Sequence, residues 1–335
     1  MAIGKCTCCG KRIQGRHELQ SSDALGAAAV QIGPNALSLA ALLNKQCGCS
    51  WGRIANLFGR VFNLKVTASA LCRAAVERLG PRTNEIYQKL ITQLRDSGVV
   101  HVDETSWRVD GVNNWLWVFT NDETTVYAIA PSRGAEVAFA VLGKDYAGLL
   151  GRDGWSVYRK FQRARHQTCL AYLFKRIKGI LEEAKRGQAR YPRKVRRLLK
   201  RALELRDRRQ SYTPHGFAVQ GGKLLAELAR ILRWKPRYDP NRRLANHLKR
   251  EADAILTFLF HPEIEATNWP AEQAIRPAVV NRKISGGNRS VSGARAQAMI
   301  TSLIATCTKR GIDILKVFRD IFRGIQPTIG PPVAA

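Results

Sequence analysis

Apolar positions recur with a helical period between Pro34 and Ser97, and their spacing predicts four amphipathic helices. Two of these helices, Ser50–Phe62 and Thr67–Leu79, each begin with a hydroxyl residue that can cap a helix. The four residues Asn63–Val66 separate them. This arrangement is compatible with a helix-turn-helix, whose second helix enters the major groove of DNA, and a plain helical bundle is the alternative.

The period changes from helical to extended at Gly98. Three short runs rich in β-branched and aromatic residues follow and predict an antiparallel meander: Val99–Asp103, Trp115–Thr120 and Thr125–Ile129. A helix over Gly134–Leu142 and a strand within Tyr146–Gly154 complete the order βββαβ. We therefore predict an α/β protein of the α+β type, with a ribonuclease-H-like mixed sheet flanked by helices, a helical N-terminal region and a basic helical insertion.

A later predicted helix carries the acid Glu272. Asn268 and Pro270 mark a helix start, which puts Glu272 in the first turn. Arg276 follows one turn later on the same face, where it can orient the carboxylate or contact a phosphate. A glycine-bearing loop, Ser285–Arg289, leads to a last predicted helix over Ala294–Lys309.

Positive charge is concentrated in one part of the chain. The 335 residues contain 55 Lys and Arg against 26 Asp and Glu, a formal net charge of +29. Residues 171–250 alone carry 24 basic and 6 acidic residues, a net charge of +18. Such a field attracts polyanions, so we expect this segment to bind the DNA backbone; a solvated helical face is the alternative. No apolar run is long enough to span a membrane, and the N-terminus lacks the apolar stretch of a secretion signal, which predicts a cytoplasmic protein without a membrane partner.

A C-x-x-C motif near the N-terminus offers two zinc ligands, Cys6 and Cys9. Zinc needs four ligands, and no second C-x-x-C follows. Three readings stay open: a partner pair lies upstream of Met1, or His17 with Cys47 or Cys49 completes the site, or the cysteines bind no metal.

Three acids suit metal-dependent phosphodiester chemistry, in which carboxylates hold hard cations and leave positions open for phosphate and water. They are Asp103, Asp153 and Glu272, spaced 50 and 119 residues apart, with the basic insertion inside the second interval. On a ribonuclease-H-like sheet the first strand is central and the fourth lies beside it, so both aspartates reach the same end. Among 26 acids many such triples occur, so the spacing alone does not establish that these three form a catalytic set.

Several blocks of sequence around these acids resemble the transposases of insertion sequence family 66, members of the DDE superfamily. The blocks come in the family's order and span about Cys6 to Phe322: Val102–Gly111, Trp115–Val118, Arg152–Tyr158, His166–Ala171, Asn268–Pro277 and Asn281–Lys283. The chain departs from the family at Gln273, where Arg is usual, at Tyr172, where His is frequent, and in its single cysteine pair.

The resemblance implies an enzyme, a DNA transposase in which Asp103, Asp153 and Glu272 are catalytic and bind two Mg²⁺ or Mn²⁺ ions. Water would cut DNA at the element ends, and the freed 3′-hydroxyl would attack target DNA. Arg276, Arg282 and Lys283 are the candidates for phosphate contact. The implied partners are double-stranded DNA, further copies of the chain and accessory proteins of the same element, at the nucleoid of a bacterium. A nuclease that never rejoins DNA and a decayed transposase that only binds DNA are the alternatives.

These inferences predict six segments. They are a partial zinc-type cysteine motif at 1–15, a helical region with the candidate helix-turn-helix at 16–97, the first part of the catalytic core at 98–170, the basic helical insertion at 171–254, the second part of the core with the glutamate helix at 255–323, and a tail at 324–335. Around Asp103 we expect Glu104 to face the opposite side of the strand in a structural salt bridge, and His101 to be a packed core residue.

Overall fold

The computed structural model describes residues 3–14 and 32–330. Its strands are β1 (Ile3–Lys5), β2 (Arg12–Gln14), β3 (Val99–Val109), β4 (Val112–Thr120), β5 (Thr125–Ala130), β6 (Leu149–Arg152) and β7 (Arg165–Thr168). Its α-helices are α1 (Pro34–Lys45), α2 (Trp51–Phe62), α3 (Ala68–Arg73), α4 (Gly80–Arg95), α5 (Ala135–Leu142), α6 (Leu170–Glu183), α7 (Arg190–Asp207), α8 (Pro214–Arg233), α9 (Asp239–Arg250), α10 (Thr257–Phe260), α11 (Trp269–Ser285), α12 (Val291–Lys309) and α13 (Ile314–Arg323). The protein is of the mixed α/β class, as predicted. Among the described helices, none is both long and apolar enough to cross a membrane.

Two compact units divide the chain. The first combines Met1–Leu90, Trp107–Asn114 and Pro277–Ala335, and the second combines Ile91–Ser106 with Trp115–Arg276. The six predicted segment boundaries stay a prediction.

The second unit is built on a mixed sheet with the strand order β5-β4-β3-β6-β7. β4 and β5 are antiparallel, whereas β6 is parallel to both β3 and β7. The first strand of the series, β3, is therefore central, and the fourth, β6, lies beside it, as the sequence predicted. Gly151 of β6 is opposite His101 of β3, and a Cβ atom at Gly151 would lie only 2.3 Å from the His101 Nδ1. Glycine is required there because a side chain would collide with the imidazole.

The basic segment of the second unit is a packed helical layer. Its apolar residues recur every three or four positions and are buried, as Val195, Leu198 and Ala202 of α7 show. The Arg193 and Arg197 side chains on the same helix are exposed. The helices α6 to α10 share one apolar core, so the excess charge is displayed on the outer faces of an ordered structure.

The first unit has a separate core formed by α1, α2, α3, α12 and α13. Ser50 caps α2 by accepting from the Arg53 amide, and Thr67 caps α3 in the same way, as predicted. The predicted end of the second helix at Leu79 is wrong. A π-helical stretch, Ala74–Leu79, joins α3 to α4, and the Gly80 amide donates to the Ala75 carbonyl. The wider π turn lets the helix continue through Pro81, which has no N–H to donate.

Candidate active site

Asp103 lies on the central strand β3 and is half-buried. Its Oδ1 accepts a hydrogen bond of 2.9 Å from the Glu104 amide. The pKa of Asp103 is raised to about 7, chiefly by burial and further by the negative charges of Glu104, Asp153 and Glu272, while that hydrogen bond acts in the opposite direction. The charge of Asp103 is therefore poorly compensated by the protein itself.

Asp153 follows β6 directly and lies beside Asp103 for a simple reason. His101 pairs with Gly151 in parallel strands, and the two aspartates each come two residues later. The Asp153 Oδ1 accepts from the Trp155 amide at 2.8 Å. Burial raises the pKa of Asp153, while the Trp155 amide and the cations Arg152 and Arg133 lower it.

Glu272 is exposed in the first turn of α11, where the sequence placed it. Its carboxylate acts on the pKa of Asp103, so the fold brings the three predicted acids within electrostatic range of one another in the second unit. The interval of 119 residues between Asp153 and Glu272 is spanned by the packed basic helices.

Asn268 fixes the start of the glutamate helix to the central strand. It is only 2% exposed, and its Nδ2 donates to the Val102 carbonyl at 2.7 Å. Its Oδ1 lies 3.2 Å from the Nδ1 of His101, which is buried in the core as predicted. One turn of helix connects Asn268 to Glu272, whose amide donates to the Asn268 carbonyl at 3.0 Å.

Cys169 also connects the glutamate helix to the sheet, and sequence reasoning missed this residue. Its amide donates to the Arg152 carbonyl at 2.8 Å, and its Sγ accepts from the Asn268 amide at 3.3 Å. The Sγ also lies 4.0 Å from the Glu272 Oε1. Burial raises the pKa of this thiol, which keeps it neutral and able to donate to the carboxylate. The sequence offered one signal, the position of Cys169 within the His166–Ala171 block, but not the contacts.

Glu104, the neighbour of Asp103 on β3, forms the expected salt bridge. Its side chain is 1% exposed and lies 2.7 Å from Arg133, and the Tyr158 hydroxyl donates to its other oxygen. Arg133 lies between two indole rings, 3.9 Å from the ring centre of Trp155 and 4.5 Å from that of Trp115. Cation–π contacts and the salt bridge together hold this guanidinium near Asp153. Sequence reasoning did not find Arg133.

The donor set suits a hard divalent cation by its chemistry. The negative charges of Asp153 and Glu272 act on Asp103, and carboxylate oxygens are the ligands that Mg²⁺ prefers. Within residues 3–14 and 32–330, no group of three or more His, Cys, Asp or Glu side chains is placed so that it could hold one ion. The carboxylates are thus gathered at one site without forming a ligand shell.

The family model described as "Transposase IS66 family" matches residues 29–296, a range that contains all three acids. The chain belongs to the IS66 transposase family.

Two curated relatives of this IS66 family member come from Sinorhizobium fredii, and both are named only as uncharacterized proteins. Protein y4jO is 29% identical over 176 residues, which cover 52% of the chain and 53% of the relative. Protein y4qI is 26% identical over 242 residues, which cover 60% of the chain and 42% of the relative. The chain therefore spans about half the length of the curated relatives it matches.

The three predicted phosphate contacts of this family member occupy different surroundings. Arg276 is exposed on α11, one turn after Glu272, and belongs to the second unit. Arg282 and Lys283 are in the last turn of the same helix but belong to the first unit, where Arg282 is half-buried and Lys283 is exposed. Only Arg276 is thus in the same compact unit as the three acids.

The N-terminal cysteines lie in the turn of the β1–β2 hairpin. The Cys6 amide donates to the Lys11 carbonyl at 2.8 Å, and the Gly10 amide donates to the Cys6 carbonyl at 2.9 Å. Hydrogen bonds from the backbone of Cys9 and Cys8 lower the pKa of Cys6, which favours the thiolate that binds zinc. His17, a candidate further ligand, lies outside the described residues.

Proposed function

We propose that this IS66 family member is a DDE transposase that cleaves DNA at element ends and joins the freed strand to target DNA. One observation carries the proposal. Asp103, Asp153 and Glu272 are far apart in sequence, yet they come from neighbouring parallel strands and an adjoining helix of one unit, where each carboxylate changes the electrostatics of Asp103.

The strand order supports a ribonuclease-H-like core. An antiparallel pair, β4 and β5, lies on one side of the central strand, and the parallel strands β6 and β7 lie on the other. Asp103 within β3 and Asp153 just after β6 each come two residues beyond a paired position of these parallel strands, so they lie side by side at the carboxyl end of β6, where the active site of such an open α/β sheet belongs.

Asp103, Asp153 and Glu272 would hold Mg²⁺ or Mn²⁺, most simply as a pair of ions. When bound, the ions supply Lewis-acid charge to the phosphate and acidify water. The chain's own residues do the positioning: Asn268 and Cys169 hold Glu272 against β3 and β6, and the Trp155 amide orients Asp153. Arg133 neutralises Glu104, the acid next to Asp103 on β3.

Double-stranded DNA is the proposed partner. The exposed arginines of the α7 layer and Arg276 would contact phosphates, with Arg282 and Lys283 as further contacts. Because transposition pairs two element ends, we propose that the chain acts as an oligomer on DNA, at the bacterial nucleoid, with accessory proteins of the same element as further partners.

We also propose zinc at Cys6 and Cys9. Cys6 and Cys9 supply two of the four ligands, and His17 with Cys47 or Cys49 are the candidates for the others. Zinc content measured for wild type and Cys9→Ser tests this directly, because equal zinc in both proteins would contradict it.

The decisive experiment follows cleavage and joining of labelled DNA that carries the element's own ends, in Mg²⁺ or Mn²⁺. We expect Asp153→Asn and Glu272→Gln to abolish both products. Asp145→Asn is the matched control, since Asp145 is an exposed acid just before β6. Products that persist in Asp153→Asn would refute the assignment of the site.

A pre-cut element end separates the proposal from its two alternatives. Joining of this end to target DNA supports transposition, whereas cleavage without joining indicates a nuclease. DNA binding with no products at all indicates a decayed protein that only binds DNA.

A further inference from the structure

A cavity of about 680 Å³ opens in the second unit next to the strand that carries Asp153. Its lining joins four arginines, Arg152, Arg159, Arg165 and Arg250, to apolar side chains that include Leu225 and Phe260. The predicted site residues do not line it, and neither the family match nor the sequence assigns it a role.

Positive charge exceeds negative charge in this cavity. Buried Glu251 lies 2.7 Å from both Arg152 and Arg159, so one carboxylate is shared by two guanidinium groups. Arg165 and Arg250 are exposed and add two further charges, against the single exposed carboxylate of Asp253 in the lining. An anion that enters the cavity would therefore be attracted by the uncompensated guanidinium groups.

The apolar part of the lining is open to solvent. Leu225 is 42% exposed and Phe260 is 43% exposed, although both belong to helices of a well-packed layer. The Phe260 ring rests against the backbone of α8, because a Cβ atom at Gly221 would lie 3.2 Å from its edge. The ring is thus supported from behind and presents a flat apolar surface beside cationic groups.

A ligand with a planar apolar ring and a phosphate matches both halves of the cavity. Bases stack on aromatic side chains, and guanidinium groups pair with phosphate oxygens. The volume also lies within the roughly 300–1,000 Å³ of typical ligand pockets. A base in a duplex is already stacked and paired and cannot enter such a cavity, so the occupant must be unpaired.

We propose that the cavity holds one unpaired nucleotide of the DNA substrate, with its base against Phe260 and Leu225 and its phosphate near Arg165 and Arg250. The inference rests on the proposed function only in taking DNA as the substrate.

Arg152 connects the cavity to the candidate active site. Its Nη1 donates to the Asp153 carbonyl at 2.9 Å, and its Nη2 lies 2.7 Å from Glu251 in the cavity wall. A nucleotide held in the cavity would therefore anchor the strand next to the loop of Asp153. Unpaired nucleotides arise at a DNA end that is being cut, which is where such an anchor is useful.

The test measures binding of a fluorescent single-stranded oligonucleotide of about 12 nucleotides by anisotropy, in EDTA so that no metal is needed. From the usual strength of base stacking, we expect Phe260→Ala to weaken binding by about fivefold or more. Arg250→Ala should weaken binding by a similar factor at low salt. Arg163→Ala is the matched control, since Arg163 is exposed on the loop before β7 but does not line the cavity, and we expect a change of less than about twofold.

Two further measurements keep the result interpretable. Phe260→Leu retains an apolar side chain without the aromatic face, so a folded Phe260→Leu protein with weakened binding excludes misfolding as the cause. A matched duplex should bind wild type and Phe260→Ala equally, because its bases cannot reach the ring.

Two outcomes would overturn the inference. One is unchanged single-strand affinity in both Phe260→Ala and Arg250→Ala. The other is displacement of the oligonucleotide by free ATP at equal nucleotide concentration, which would mark a site for mononucleotides. Failure of the proposed function would be distinguishable from failure of this inference. A wild-type protein that yields no DNA products can still show Phe260-dependent binding in EDTA.

Discussion

Asn268 contacts two residues of β3, His101 and Val102, that are distant from it in sequence. Replacing it by alanine removes the donor to the Val102 carbonyl and the partner of His101 in a buried site. We expect Asn268→Ala to lower the free energy of unfolding by about 1–3 kcal/mol, since buried polar groups lose their partners. Cleavage should fall by more than the folded fraction does, because Glu272 would no longer be held against β3.

Urea unfolding and single-turnover cleavage, measured on the same preparation, test this expectation. Asn246→Ala is the matched control, because Asn246 is exposed on α9, and we expect a change within about 0.5 kcal/mol. Equal stability of the two variants would contradict the role given to Asn268.

Two histidines, the half-buried His166 and the buried His247, predict how stability depends on pH. Burial and neighbouring arginines lower the pKa of His166 and of His247 to about 4 from an ordinary value of about 6.5. Below about pH 6.5 the unfolded chain binds protons that the native protein excludes, so stability falls as the pH drops from about 6.5 to 4. Over this pH range, the exclusion of a proton from each histidine should lower the free energy of unfolding by on the order of 1–3 kcal/mol.

Urea titrations at pH 7 and pH 5 check this slope. We expect His247→Gln to lose less stability than wild type between the two pH values. The variant has one histidine fewer that binds a proton only when the chain unfolds. His215→Gln should behave like wild type, since His215 is exposed on α8. A steeper loss in His247→Gln would show that the sign is wrong.

At the scale of elements, the close contact between α4 and α12 depends on Gly80. A Cβ atom at this position would lie 2.6 Å from the Ala296 Cβ, so one of the helices must shift to admit a methyl group. We expect Gly80→Ala to lower the free energy of unfolding by about 1–3 kcal/mol. Gly59→Ala on α2 meets no atom within 4 Å and should be neutral or stabilising, because alanine favours a helix.

Thermal melts of the two variants provide the measurement. Both exchange glycine for alanine on a helix, so the difference between them isolates the contact with Ala296. A Gly80→Ala protein as stable as Gly59→Ala would contradict the close contact.

The sequence predicted most elements because their patterns are local. The hydroxyl caps at Ser50 and Thr67, the alternation around Asp103 and the helix start at Asn268 all follow from a few neighbouring residues. The join of α3 to α4 was missed because Gly80 and Pro81 are typical of a helix end, and only the π stretch carries the helix past them. The α13 helix, Ile314–Arg323, also escaped the prediction although Asp313 caps it.

The supporting contacts of the site could not be read from the sequence. Arg133 meets Glu104, and Cys169 meets Asn268, only because strands and helices far apart in the chain pack together. The periodicity of neighbouring residues in the sequence does not predict contacts between such distant residues. The positions of Asp103, Asp153 and Glu272 on or beside their predicted elements are confirmed, whereas their role as a metal-binding triad stays a prediction.

At the scale of the whole molecule, the distribution of charge predicts a strong salt dependence of DNA binding. The basic helices expose arginines on the outer faces of a buried apolar core, as Arg193 and Arg197 do on α7. A protein that contacts several phosphates loses roughly 10³-fold or more in affinity between 50 and 200 mM salt. We expect the double variant Arg193→Ala, Arg197→Ala to reduce the slope of log K against log salt by about 1–2.

Gel shifts over a salt series measure this slope. The matched control is the double variant Arg242→Ala, Arg243→Ala on α9, because both of these arginines are already paired with Asp239. A flat salt response of wild type would contradict phosphate binding by the basic helices.

The attachment of Glu272 through Asn268 also has a consequence for the time at which the protein can act. Because Glu272 lies 119 residues after Asp153, a ribosome must synthesise the whole basic segment before the three carboxylates can meet. The contact between Asn268 and Val102 closes a loop of 166 residues, and such long-range contacts form late in folding. Under the proposed function, truncated translation products that end before this helix would carry the basic helices without the complete acidic set, and would bind DNA without cutting it.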